Sequence, residues 1–86
     1  MIHQQRGEYD QALEKYEQSL GIEKKLGSKL YIAICLDNIG ILKTKQGASE
    51  EGISLLKQAI DIYRQIGAKA ELEGAERSLK DLLDDE

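Results

Sequence analysis

Apolar residues recur along this chain in alternating steps of three and four. Ile32, Cys35, Ile39 and Leu42 form one such run, and Leu72, Ala75, Leu79 and Leu82 form another. That spacing puts each set on one face of an α-helix. The two runs share a register, because adding forty to each number of the first gives the second. The same shift carries Gln18-Ser19-Leu20-Gly21-Ile22 onto Gln58-Ala59-Ile60-Asp61-Ile62, and Leu26-Gly27-Ser28-Lys29 onto Ile66-Gly67-Ala68-Lys69. A repeat of forty residues therefore organises the chain.

Glycines divide that repeat in half. Gly7, Gly27, Gly47 and Gly67 stand twenty apart, each flanked by helical patterns. Glycine is the residue that most readily ends a helix in the left-handed conformation. The ladder predicts four helices of roughly 17 residues, about 25 Å each at the α-helical rise. They are expected over residues 9–26, 29–46, 49–66 and 69–83. Ser28 is placed to cap the second helix and Ser49 the third. Short turns between long helices make neighbours antiparallel, so the expected fold is all-α, with helix pairs stacked as a right-handed α-solenoid.

Composition supports this and narrows the function. Proline is absent, and 33% of residues are charged. The four aromatic residues are all tyrosine, so Leu, Ile and Ala must build most of the core. With a net charge of −4 and cations interleaved with acids, the chain lacks the basic patch that nucleic-acid binding needs. No apolar run approaches the length of a membrane span, and residues 1–5 do not read as a signal peptide. Cys35 is the single cysteine, which fits a reducing, cytoplasmic setting.

Asn38-Ile39-Gly40, the turn glycine Gly47, Leu56 and Ala59-Ile60 follow one pattern, and the half-repeat before them follows it with Gly7, Tyr9, Ala12, Tyr16, Ser19 and Leu20. That pattern resembles the tetratricopeptide-repeat (TPR) family. The forty-residue period is similar to the longer-helix subgroup found in kinesin light chains, spindle-orientation adaptors and many prokaryotic regulators, since the standard repeat has about thirty-four residues. Lys43 departs from the usual tyrosine. Gly52 replaces an alanine, at a helix-propensity cost of about 1 kcal/mol. Ala48-Ser49 replaces an acid-aromatic pair. The last two predict a looser second repeat. On this reading the 86 residues form one domain: a partial repeat over 1–27, mainly its second helix, a full repeat over 28–67, and a polar capping helix over 68–86.

The resemblance implies a scaffold or adaptor that binds a peptide or partner protein. In such proteins the first helix of each pair lines a concave groove, which here corresponds to Ile34, Asp37, Asn38, Ile41, Thr44 and Lys45. Ile34 and Ile41 are apolar yet lie off the main stripe, as a binding surface would require. Asn38 matches a position that holds a terminal carboxylate in chaperone adaptors, but Asp37, Ile41, Gly74 and Ser78 stand where that clamp is basic. A basic or neutral peptide suits Asp37 better. No catalytic, cofactor or metal constellation is expected. His3 is the lone histidine, Cys35 sits on an apolar stripe, and no glycine spacing leads into a phosphate loop. Asp84-Asp85-Glu86 reads as a solvated tail.

A second expectation is self-assembly. Residues 2–7 align with only the last turn of a pair's first helix, leaving Tyr9, Leu13, Tyr16 and Leu20 without a covering partner. Burying four large side chains at roughly 2 kcal/mol each, on both sides of a two-fold interface, gives about 16 kcal/mol gross. That compares with an association cost of about 4–15 kcal/mol. A homodimer through this face is the alternative to a groove-binding adaptor.

Overall fold

The computed structural model of the protein describes residues 2–84, with side chains described from residue 7 onward. The expectations for His3 and for Asp85 and Glu86 fall outside those side chains. Four helices follow one another: α1 (Ile2–Leu26), α2 (Lys29–Lys45), α3 (Ser49–Ile66) and α4 (Lys69–Asp84). Each packs on the next, and the α2–α3 hairpin is the most closely packed pair. The molecule is a slab of 39 × 31 × 18 Å with a radius of gyration of 13.0 Å. A compact globule of this length would have about 12 Å, so the chain is a short stack of layers.

Three of the four ladder glycines end helices as expected. Gly27, Gly47 and Gly67 have φ of 75, 95 and 73°. After each, the next amide reaches back five residues: Ser28 N–H to Glu23 O, Ala48 N–H to Lys43 O, and Ala68 N–H to Tyr63 O. These bonds satisfy carbonyls that the helix ends would leave free. Gly7 corrects the expectation, because α1 runs through it without a break and its φ is not positive. A glycine inside a helix costs about 1 kcal/mol, and without the returning amide bond that is too little to stop one. The cap assignments also shift. Ala48 is the N-cap of α3 and Ser49 its first residue, while Ser28 holds the N-cap of α2 without a side-chain hydrogen bond.

Ala33, Leu36, Leu56, Ala59, Ile60, Tyr63 and Ala75 make the core, drawn from α2, α3 and α4. Leu72, Leu79 and Leu82 pack against it from the apolar face of α4. Cys35 and Ile39 are buried on another side of α2. Burial raises the Cys35 thiol pKa, and the charge of Glu23 on α1, which packs on α2, raises it further. The α2 sequence is apolar nearly all round because helices flank it on several sides.

The tightest point is the crossing of Gly40 and Gly52. A Cβ on Gly52 would lie 2.5 Å from Gly40 O and 2.5 Å from Thr44 Cγ2. One on Gly40 would lie 2.7 Å from Gly52 O and 3.1 Å from Leu56 N. The second repeat is therefore not loosened by Gly52. The glycine that weakens α3 as an isolated helix lets it approach α2 backbone to backbone.

Candidate interaction surface

The residues expected to line a groove, Ile34, Asp37, Asn38, Ile41, Thr44 and Lys45, all lie on α2. Ile34 is half-buried and packs against the core. One turn on, Asp37 is half-buried and its Oδ2 accepts a hydrogen bond from Tyr63 Oη at 3.1 Å. Its other oxygen, Oδ1, is buried with no hydrogen-bond partner among the described residues. Burial raises the Asp37 pKa above the usual carboxylate range, and the Tyr63 hydroxyl partly offsets this. Tyr63 is pushed up in turn, chiefly by burial and then by the charge of Asp37. Asn38 is half-buried and Lys45 exposed.

Ile41 opens onto a shallow groove whose other lining residues are Ser78, Asp81 and Leu82 of α4. Ile41 is the one expected residue in its lining, and the α4 wall is not part of the expectation. Ser78 and Asp81 are the forty-residue counterparts of Asn38 and Ile41. Thr44 is half-buried. Its Oγ1 donates to Ile41 O of its own helix at 2.7 Å, and its methyl faces Gly52 at the α2–α3 crossing, so part of the side chain serves packing. The Asp37–Tyr63 bond was hidden by the repeat itself, since the position equivalent to Tyr63 in the preceding half is Glu23.

Cys35 is buried with its thiol pKa raised, which keeps it protonated and unreactive. No group of three His, Cys, Asp or Glu residues with metal-binding proximity exists among the described residues. No helix among them is long and apolar enough to cross a membrane. The ion pairs Lys43–Glu51 at 3.5 Å and Arg64–Glu76 at 3.4 Å are surface contacts. Such pairs contribute at most about 1 kcal/mol each.

The face expected to be uncovered on α1 is only partly so. Tyr9, Leu13, Tyr16 and Leu20 are all half-buried, and Leu20 packs against the core. Their counterparts on α3 are better covered where α2 seats on them: Leu56, matching Tyr16, and Ile60, matching Leu20, are buried.

Comparison with known proteins gives a family match and one curated relative. A family model described as tetratricopeptide repeat matches residues 1–65. Photosystem I assembly protein Ycf3 from Rippkaea orientalis (strain PCC 8801 / RF-1) is 32% identical over 98 aligned positions, covering 98% of this chain. The chain spans 55% of that relative's length. No solved structure gives a significant match.

Proposed function

From the premise that this chain belongs to the tetratricopeptide-repeat family, we propose that it is an adaptor holding a partner polypeptide in the groove between α2 and α4. The observation that carries this reading is the pairing of half-buried Ile41 with Leu82, Ser78 and Asp81 across that groove. An apolar floor with polar and acidic edges matches a neutral or basic segment that inserts an apolar side chain. The relative is named as an assembly protein, which supports a reading of this chain as one that positions the components of an assembly. The buried, protonated Cys35 suits a reducing compartment, in our reading the cytoplasm.

The test uses peptides selected from a displayed random library on the wild-type protein. Ile41→Asp places a charge at the groove floor and should weaken those peptides by about tenfold or more. Its helical circular dichroism and its mass should stay unchanged. Peptides that bind the variant as well as the wild type would move the binding surface away from the groove.

A second reading, homodimerisation through α1, is favoured by one observation. The forty-residue shift aligns Ala12, Leu13, Tyr16 and Leu20 with Gly52, Ile53, Leu56 and Ile60, the face on which α3 receives α2. On α1 that face is still half-open. Light scattering across a hundredfold concentration range should show a dimer that Tyr16→Asp with Leu20→Asp converts to monomer. A wild-type monomer throughout rejects this reading.

A further inference from the structure

The helix order gathers one end of the bundle from the α1–α2 turn and the α3–α4 turn. The antiparallel succession of the four helices sets residues 22–31 and 64–71 at this end. Four of the five large hydrophobic residues most open to solvent lie at this end. They are Ile22 at 59%, Leu26 at 72%, Tyr31 at 55% and Ile66 at 38% exposed. Exposed apolar side chains are unremarkable when scattered and informative when gathered.

Charge gathers there too. Lys24, Lys25, Lys29 and Lys69 are exposed at this end, and none forms a salt bridge among the described residues. The acids nearby are Glu23, half-buried beside Cys35, together with exposed Glu71 and Glu73. Arg64 is engaged by Asp61 and Glu76. Residues 22–31 thus hold three lysines and one glutamate in a chain whose net charge is −4.

Two of these lysines stand where folding alone would not put them. Lys29 is the first residue of α2 and Lys69 the first of α4, and α2 has no acid in its first turn. The helix dipole favours acids at that end and disfavours cations. Both repeats accept the same unfavourable placement, forty residues apart.

We propose that this turn end is a second interaction surface, distinct from the groove, and that it takes an acidic polypeptide segment bearing apolar side chains. The lysines would steer and orient such a segment, and Leu26, Ile22 and Tyr31 would bury its apolar residues. A second copy fits less well. Pairing like ends sets lysine against lysine, and the opposite end, though acidic, exposes Leu83 as its one large apolar residue among those described. An anionic membrane would meet a chain of net negative charge.

The probe is a synthetic amphipathic helix of leucine and glutamate, titrated into the isotope-labelled protein. A leucine–lysine helix and phosphatidylcholine–phosphatidylglycerol vesicles are run in parallel. The leucine–glutamate helix should shift amides of residues 22–31 and 64–70, lose affinity with added salt, and leave the other two probes without effect. Lys29→Glu with Lys69→Glu should weaken it by about tenfold or more while holding or raising the melting temperature, the opposite of what a structural role predicts. Leu26→Glu should weaken it similarly, and Ile41→Asp should leave it unchanged. Four results would each overturn the proposal: binding indifferent to the lysine changes, binding lost in Ile41→Asp, binding to vesicles in place of the peptide, or self-association that occupies this end.

Discussion

Alanine at Gly52 should lower stability by about 2 kcal/mol and the melting temperature by about 10 °C. Two effects oppose each other. Alanine is the better helix former by about 1 kcal/mol, so at an open position the substitution would help. At Gly52 the new methyl would lie 2.5 Å from Gly40 O, 2.9 Å from Thr44 N and 2.5 Å from Thr44 Cγ2. Two of those atoms are backbone, so no rotamer change relieves the clash and α2 must move away from α3. Forced separation of a packed contact costs about 3 kcal/mol at the upper end of ordinary overpacking, which outweighs the propensity gain. Gly40→Ala should follow with the same sign. Gly21 and Gly74 provide the control: a Cβ at either meets nothing within 4 Å, so alanine there should stabilise by about 0.5–1 kcal/mol. Thermal denaturation of the four variants checks this. A stabilised Gly52→Ala would mean that the two helices do not meet backbone to backbone.

Much of the architecture was legible from the forty-residue register. It placed the four helices, three of their stops, and the stripes carrying Cys35, Ile39 and Ala75 into burial. What it missed shares one cause: periodicity gives faces, and contact between faces is a three-dimensional fact. Gly7 looked like Gly27 in the ladder, but only Gly27 has the returning amide bond and positive φ. Gly52 was judged by the propensity of one helix, when its value lies in how closely a second helix can come. Thr44 was assigned to the groove by family position, and part of its side chain also packs beside Gly52. Of the groove itself, the resemblance points to Ile41, whereas Ser78, Asp81 and Leu82 became lining residues only once α4 was placed.

Removing Tyr63 should be the most damaging single change of those considered, and its dependence on pH should reveal why. Tyr63 is one of the two largest side chains that are fully buried. Tyr63→Ala deletes that ring and leaves a cavity, at a cost of about 3–5 kcal/mol. A domain of this length has in total about 4–13 kcal/mol, so much of this variant's stability margin should vanish. Tyr63→Phe isolates the hydroxyl. It keeps the ring and removes the one hydrogen bond that the Asp37 carboxylate receives among the described residues, leaving it half-buried with neither oxygen partnered by them. The cost at pH 7 should be about 1–3 kcal/mol. The sign of the pH dependence follows from the raised Asp37 pKa. A carboxyl whose folded pKa lies above its unfolded value of about 3.9 favours the fold fully below that value. The contribution is lost as pH rises through the folded pKa. Because the Tyr63 hydroxyl lowers the Asp37 pKa, Tyr63→Phe should raise it further, so the variant should lose more stability at pH 7 than at pH 4. Asp37→Asn keeps an oxygen to accept from Tyr63 without the charge. It should gain on the wild type as pH rises from 4 to 7. Urea denaturation at the two pH values measures both differences. Equal losses for Tyr63→Phe at pH 4 and pH 7, with no pH-dependent gain for Asp37→Asn, would mean that the Asp37 charge is not held out of water. Asp37 would then be open to a cationic group of a partner, which would move the polar anchor of the groove from Asp81 toward the centre of α2.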